Sequence, residues 1–191
     1  LYNRIGKDAL TQYAQRMGLG RTYNLFPGSP EAQGIVSVPN TTPEAINEAV
    51  GQGDISLPPL QMAVAVASIA NGGTVYQPQI VKQIGGFDGA DVVRTSEPQI
   101  VNTLNLNEGV LETIKDGMCG AVNDFDLGTA YIRFENAPYS ACGKTGTAQT
   151  GLYPNAWFVA YAPADDPQIA IAVMVSQSLE GSQIAAPITR R

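Results

Sequence analysis

The sequence predicts an α+β fold in which helices pack on an antiparallel sheet. Three segments with strand-like composition follow one another late in the chain, at residues 142–148, 156–162 and 168–176. Residues 163–167 between the last two have the composition of a hairpin loop. Earlier in the chain, residues 59–70 are apolar on every side, which is typical of a helix buried on all faces. Consecutive strands preceded by separate helices favour α+β over alternating α/β architecture.

The segments that precede residue 59 are predicted as one helix and one long irregular connection. Asp8 is a suitable N-cap for a helix whose apolar residues recur at helical spacing until Gly18. Residues 21–59 contain six prolines and are predicted to be irregular, apart from a short helix at residues 43–49. A connection of this length in a compact domain is more often functional, or draped over a core, than idle.

Short surface strands and a further helix are predicted between the apolar helix and the sheet. Asn107 is a candidate N-cap for a helix with an apolar stripe of Val110, Leu111, Ile114 and Met118. The predicted short strands are residues 74–76, 79–84 and 91–95, the last two joined by a turn at residues 85–89. Residues 184–191 are predicted to begin a last helix, and Trp157 and Phe158 are predicted core residues.

Composition excludes several classes of function. The chain has 191 residues, 44% of them apolar, a net charge of −6 and no histidine. The 11 basic residues form no stripe, which argues against nucleic-acid binding. The absence of histidine excludes a Ser-His-Asp or Cys-His mechanism within the chain, and no metal or cofactor is expected. Cys119 and Cys142 are either a disulfide or two buried thiols, and the sequence favours neither.

Residues 142–148, Cys-Gly-Lys-Thr-Gly-Thr-Ala, have more polar functional groups than a strand needs for packing alone. They combine one cation, two hydroxyls and two glycines with β-branched residues suited to a strand. Gly143-Lys144-Thr145 also matches the end of a phosphate loop, but that motif needs glycine where Pro138 stands and a helix afterwards. A core strand whose lysine reaches solvent is the other alternative. Lys144-Thr145-Gly146 is, in addition, a catalytic signature of penicillin-binding proteins and β-lactamases.

Further motifs accompany this signature along nearly the whole chain, each modest alone but specific in their joint order. They are residues 51–53, 59–63, 69–73, 78–81, 128–130, 143–149, 156–163 and 185–188. With these motifs the chain resembles the C-terminal part of the transpeptidase domain of penicillin-binding proteins, closer to class B than to class A members. The resemblance implies the α+β fold of penicillin-binding proteins and serine β-lactamases, with residues 1–191 as an incomplete part of a single domain.

The resemblance also implies a D,D-transpeptidase that cross-links peptidoglycan stem peptides through a serine acyl-enzyme and is acylated by β-lactam antibiotics. Lys144 would be catalytic through its positive potential, and Thr147 through an N–H that helps to hold an oxyanion. Thr145, Gly146 and Thr147 would bind substrate, because a strand beside a cleft can align an extended peptide. Gln52 is at most a minor candidate at that cleft. The parent protein would act outside the cytoplasm, anchored to the membrane by an N-terminal segment absent from this chain.

Two motifs that the family's chemistry requires are missing from this sequence. No lysine has a serine three residues before it, and no serine is followed two places on by asparagine. Because the chain opens at Leu1, without an initiator methionine, we interpret it as a piece of a longer protein. The missing N-terminal part of its own domain would supply the nucleophile, so the chain alone is expected to bind no penicillin covalently. A β-lactam-binding sensor, a serine β-lactamase of the same fold and a truncated structural remnant remain alternatives.

Overall fold

The computed structural model describes residues 4, 6–86, 91–107 and 109–191 of the chain. Its helices are α1 (Lys7–Arg16), α2 (Thr42–Glu48), α3 (Pro59–Ala70), α4 (Val110–Asn123), α5 (Tyr131–Phe134) and α6 (Ala185–Thr189). Its strands are β1 (Thr74–Tyr76), β2 (Gln83–Ile84), β3 (Arg94–Thr95), β4 (Ile100–Thr103), β5 (Cys142–Ala148), β6 (Asn155–Ala162) and β7 (Ile169–Val175). No helix in these ranges has both the length and the apolar character that a bilayer crossing requires.

The main sheet consists of β5, β6 and β7, which pair in that order as antiparallel neighbours, as predicted. β5 runs against β6 without a register shift, from Cys142 opposite Tyr161 to Ala148 opposite Asn155. Within the part of the chain that the structure describes, β6 is the only strand that pairs with β5. β5 is therefore an edge strand here, and such a strand presents main-chain donors and acceptors on its outer side.

Helices cover both faces of this sheet, because alternate residues of each strand point to opposite sides. On one face, Val66 and Ala70 of α3 pack with Cys142, Val159 and Tyr161 of the sheet. The cluster on the other face brings α5 and α6 against β6 through Phe134, Phe158, Ala160, Ala185 and Ala186. The rings of Phe134 and Phe158 stack there with their centroids 5.5 Å apart.

Helices α2 and α3 confirm their predictions. α3 spans the predicted residues 59–70. α2 has a capping box that links Thr41 and Glu44: the N–H of Glu44 donates to the Thr41 hydroxyl, and the N–H of Thr41 donates to the Glu44 carboxylate. These side chains pair main-chain N–H groups that the first turn of a helix leaves free, which explains why so short a helix forms here.

Both predicted N-caps, Asp8 and Asn107, are wrong. α1 begins at Lys7 with Gly6 as its N-cap, so Asp8 lies inside the first turn. α4 begins after Gly109, whose φ of 83° is a left-handed conformation that favours glycine. Asn107 is displaced from the cap by this turn, and its carbonyl accepts from the N–H of Val110 instead. Of the predicted apolar stripe of α4, Met118 is buried, whereas Val110 and Ile114 are exposed.

The irregular residues 21–59 are tied to α3 through Gln61. This side chain is fully buried, and its Nε2 donates to the carbonyls of Arg21 and Gln33 at 2.7 and 2.6 Å. Its Oε1 accepts from the N–H of Gly20 at 2.7 Å. A buried amide requires partners for its donors and its acceptor, and Gln61 finds them in the connection itself. The segment is thus draped over the central helix.

The small strands differ from their predictions in length and in pairing. The strands expected at residues 79–84 and 91–95 shrink to the two-residue pair β2–β3. β1 pairs with β4, a strand that was not predicted. The predicted turn at residues 85–89 lies partly outside the described residues.

Candidate functional site

The candidate site lies on β5, along one wall of an apolar cleft of about 550 Å³. The opposite walls are α1 and the segment that joins α2 to α3. Apolar side chains of the lining include Leu10, Tyr13, Met17, Met62, Trp157 and Val159. Phe158 is buried as predicted, but the core prediction for Trp157 is wrong, because this side chain is half-buried and forms part of the cleft wall. A concave, mostly apolar site with a few polar groups is typical of ligand pockets.

Lys144 and Thr145 extend to opposite faces of β5, and each has a polar contact. The Lys144 side chain is exposed, lines the cleft, and donates from Nζ to the carbonyl of Thr145 at 2.8 Å. The Thr145 hydroxyl lies 2.9 Å from the hydroxyl of Thr129. The structure therefore brings the Gly128-Thr129-Ala130 loop into contact with the Lys-Thr-Gly strand, a proximity that the sequence motifs alone did not establish.

Gly146 is approached closely by Gly181, a residue for which the sequence gives no signal. A Cβ at Gly181 would clash with the carbonyl oxygens of Trp157 and Gly146, so that only glycine fits against this pair of strands. The N–H of Gly181 also donates to the hydroxyl of Thr147 at 3.4 Å. Gly181 thereby holds the middle of β5 from the face opposite the cleft.

Gln52 contacts the outer edge of β5 through its side-chain amide. Its Nε2 donates to the carbonyl of Thr147 at 3.1 Å, and its Oε1 accepts from the N–H of Gln149 at 3.3 Å. Residues two apart on an extended chain direct their main-chain groups to the same edge. The outer edge of β5 therefore carries the main-chain groups of Thr145 and Thr147, the residues predicted to bind substrate.

Glu48 is an acidic residue of the cleft that the sequence did not single out. Its side chain is only 4% exposed and lines the cleft at the end of α2. Burial raises the pKa of Glu48 above its ordinary value, and the negative charges of Asp54 and Glu44 raise the pKa further. The cleft therefore has a carboxyl group that is protonated more readily than an exposed one.

Cys119 and Cys142 form a disulfide, which settles the two alternatives that the sequence left open. The bond joins α4 to the first residue of β5, with the two Cα atoms 4.0 Å apart. Cys142 is fully buried beside Tyr161. The phosphate-loop alternative is excluded as well, because residues 142–148 are a strand and no helix follows them before β6.

The family of this chain is shown by a match along its whole length. A family model described as the penicillin binding protein transpeptidase domain matches residues 1–191. The chain belongs to this family. The fold prediction and the resemblance on which it partly rested are thereby confirmed.

Relatives of this transpeptidase-domain chain have names that describe peptidoglycan synthesis. Peptidoglycan D,D-transpeptidase PbpA of Mycolicibacterium smegmatis is 31% identical over 97% of this chain and 38% of its own length. Peptidoglycan D,D-transpeptidase MrdA of Haemophilus influenzae is 32% identical over 100% of this chain and 32% of its own length. The chain thus spans about a third of these relatives.

A solved structure of the same family has a closely similar fold. Penicillin-binding protein A from M. tuberculosis, as a ceftriaxone acyl-enzyme complex, superposes with a TM-score of 0.86 at 30% identity. The match covers 98% of this chain and 43% of the chain in that structure.

Proposed function

We propose that the protein to which this chain belongs is a serine-type peptidoglycan D,D-transpeptidase, and that residues 1–191 build the Lys-Thr-Gly wall of its active site. The observation that carries the proposal is the edge of β5, where Lys144, Thr145 and Thr147 lie beside an apolar cleft. The names of the relatives and the acyl-enzyme state of the solved structure support the same reaction.

We infer a role for each of these β5 residues from its place on the strand. An extended stem peptide would add to the outer edge of the strand by main-chain hydrogen bonds, and Gly146 has no Cβ that could obstruct its approach. The N–H of Thr147 would donate to the oxyanion of the tetrahedral intermediate. The Lys144 ammonium would supply positive potential for the substrate carboxylate, and the Thr145 hydroxyl is held against Thr129.

The nucleophile would come from a part of the protein outside these 191 residues, since no Ser-x-x-Lys or Ser-x-Asn motif occurs in them. That serine oxygen would attack the carbonyl carbon of the D-Ala-D-Ala bond, whose C–N bond breaks as the terminal D-Ala leaves with a proton. An amine of a neighbouring strand would then attack the ester and regenerate the serine hydroxyl. We infer that the N-terminal part of the same domain seats in the apolar cleft, and that the protein acts outside the cytoplasm, where peptidoglycan is assembled.

Labelling of the full-length protein with a fluorescent penicillin tests this function. We expect a covalent adduct on the full-length protein and none on the isolated 191-residue chain. Lys144→Ala should slow labelling by about a hundredfold, the typical effect of removing a group that stabilises the transition state electrostatically. Lys82→Ala is the matched control, because Lys82 is an exposed lysine outside the cleft and should label at the wild-type rate.

Three results would contradict the proposal. A full-length protein that forms no adduct would show that the acyl-transfer site is not functional, as in a module that has lost turnover. A stable adduct on the isolated chain would show that the nucleophile lies within these residues. Rapid hydrolysis of penicillin without cross-linking of stem peptides would instead identify a serine β-lactamase.

A further inference from the structure

We propose that Gln52 is a positioning residue for Thr147: its side-chain amide holds the main chain at the outer edge of β5 and so fixes the direction of the Thr147 N–H. The proposal rests on the proposed function, because it assigns Gln52 a part in acyl transfer at that edge. Gln52 and Thr147 are 95 residues apart in sequence, so the contact belongs to the folded site and not to a local turn.

The amide of Gln52 replaces a neighbouring strand at this point of β5. One residue of a parallel neighbour would donate its N–H to a carbonyl and accept from the N–H two residues further along. Gln52 makes the same two contacts with Thr147 and Gln149. The peptide planes on both sides of Ala148 are therefore fixed from the outer edge, where the sheet itself provides no partner strand among the described residues.

Thr147 lies close to the point where the support from β6 ends. Its pairing partner is Ala156, and one further pair, Ala148 with Asn155, completes the ladder. Because peptide units are planar, fixing the carbonyl of Thr147 restricts the ψ angle of this residue. The preceding Gly146 is held by Trp157 on one side and by Gly181 above it. Gln52 adds the restraint on the following side, so that the Thr147 N–H between them has a defined direction.

The main chain around Gln52 is itself ordered by hydrogen bonds. The N–H of Gln52 donates to the carbonyl of Asn47 at 2.9 Å, and that of Gly51 donates to the carbonyl of Glu48 at 2.9 Å. The side chain is thus presented from the C-terminal end of α2, and it is half-buried in the cleft. A side chain held in this way loses less rotamer freedom on making its contacts than one on an open loop.

The hydrogen-bond chemistry favours a role for Gln52 in positioning Thr147 over a role in blocking a peptide from the edge of β5. A carbonyl oxygen has two lone pairs, so the Thr147 carbonyl can accept from Gln52 and from an incoming peptide N–H together. The Thr147 N–H, which the oxyanion would use, is not contacted by Gln52. The contact also needs a donor and an acceptor on one side chain, which neither glutamate nor methionine provides at neutral pH.

The test measures penicillin acylation of the full-length protein, with the noncovalent dissociation constant and the acylation rate constant determined separately. In Gln52→Met, which keeps the length of the side chain, we expect the acylation rate constant to fall about three- to tenfold, the effect of losing one or two hydrogen bonds. The dissociation constant should change less than about twofold, since the loss is confined to the transition state. Gln79→Met is the matched control, because Gln79 also donates to a main-chain carbonyl, that of Glu97, but lies outside the cleft.

Amide hydrogen exchange of Gln149 in the same proteins provides a readout that does not depend on activity. We expect faster exchange of this N–H in Gln52→Met than in wild type and an unchanged rate in Gln79→Met. A wild-type protein that is not acylated would overturn the proposed function but would leave the exchange experiment as a test of the contact.

Three outcomes would overturn the inference while the proposed function stands. Acylation of Gln52→Met at the wild-type rate or faster would show that Gln52 does not position Thr147. Unchanged exchange of the Gln149 N–H would show that the contact does not restrain the strand. A thermal midpoint that falls well below that of Gln79→Met would assign Gln52 a structural role instead.

Discussion

Glu48 is a residue of the cleft whose buried carboxylate is expected to lower the free energy of unfolding. Its carboxyl is buried at the end of α2, and its nearest charged influences, Asp54 and Glu44, are negative. Burial without a compensating cation disfavours the charged form. A group of this kind in a cleft is a common feature of functional sites, although buried structural acids have it too.

We predict that Glu48→Gln raises the free energy of unfolding at neutral pH. The raised pKa of Glu48 means that the folded state binds its proton more tightly than the unfolded state. Wild-type stability should therefore fall as the pH rises from about 4.3, the unfolded value, through the higher folded pKa. Glutamine keeps the size of the side chain without the charge, so the difference between variant and wild type should vanish below about pH 4. Urea unfolding of both proteins between pH 3 and 7 measures this difference in the free energy of unfolding.

Glu44→Gln is the control of opposite sign. The main-chain N–H of Asn40, aided by contacts with Thr41, holds the pKa of Glu44 below its ordinary value. Its contribution to stability is present above the unfolded pKa and is lost as the pH falls through the folded pKa. Glu44→Gln should therefore destabilise the protein at neutral pH. Equal stabilities of Glu48→Gln and wild type at pH 7 would show that burial of Glu48 carries no cost.

At the scale of elements, the disulfide is a covalent link between α4 and the first residue of β5. It closes a loop of 23 residues between α4 and the strand. Replacing both cysteines with alanine, or reducing the bond, should lower the free energy of unfolding by about 3 kcal/mol, the loop-closure entropy for that length. Urea unfolding with and without a dithiol reductant measures the change. The double alanine variant should not respond to the reductant, and a wild type that is equally insensitive would contradict the prediction.

Elements with a strong pattern of their own could be predicted from the sequence, and elements defined by distant partners could not. α3, β6 and β7 have nearly continuous apolar runs that begin beside a proline, and β5 has the distinctive composition of its motif; the predictions of all four elements are confirmed. β4 has four residues, and it is a strand because β1 lies beside it. The contact of Gln52 with Thr147 and the fit of Gly181 over Gly146 depend on the folded sheet, so no local pattern indicates them.

At the scale of the whole molecule, the two faces of the main sheet differ: one is fully packed, and the other is packed only in part. One face packs against α5 and α6 in a core that is sealed by small residues and by two stacked phenylalanines. The other face packs against α3 near Cys142 but opens into the cleft further along β5. The candidate site lies where the packed part of that face gives way to the open part. An unfilled apolar wall of this kind favours the binding of further apolar surface.

We predict that the N-terminal part of the full-length protein covers this cleft and slows hydrogen exchange in α1. Leu10 and Tyr13 of α1 line the cleft together with Met17, the C-cap of this helix, and Tyr13 is 48% exposed. Covering such apolar surface stabilises the covered element by about 25 cal/mol per Å² removed from water. Amide exchange of α1 should therefore be slower in the full-length protein than in the isolated chain.

Two other elements serve as references in this exchange experiment, one that is well protected and one that is exposed. Helix α3 is packed between the sheet and residues 21–59, so its exchange reports whether the isolated chain is folded at all. The pair β2–β3 is exposed and does not line the cleft, so it should exchange equally fast in both proteins. If α3 is protected in both proteins and α1 exchanges at the same rate in both, the N-terminal part does not bind in the cleft. Slower exchange confined to α1 and residues 48–57 would show that the N-terminal part binds inside the cleft. Both segments line the cleft, so a single bound segment lying between them would protect them together.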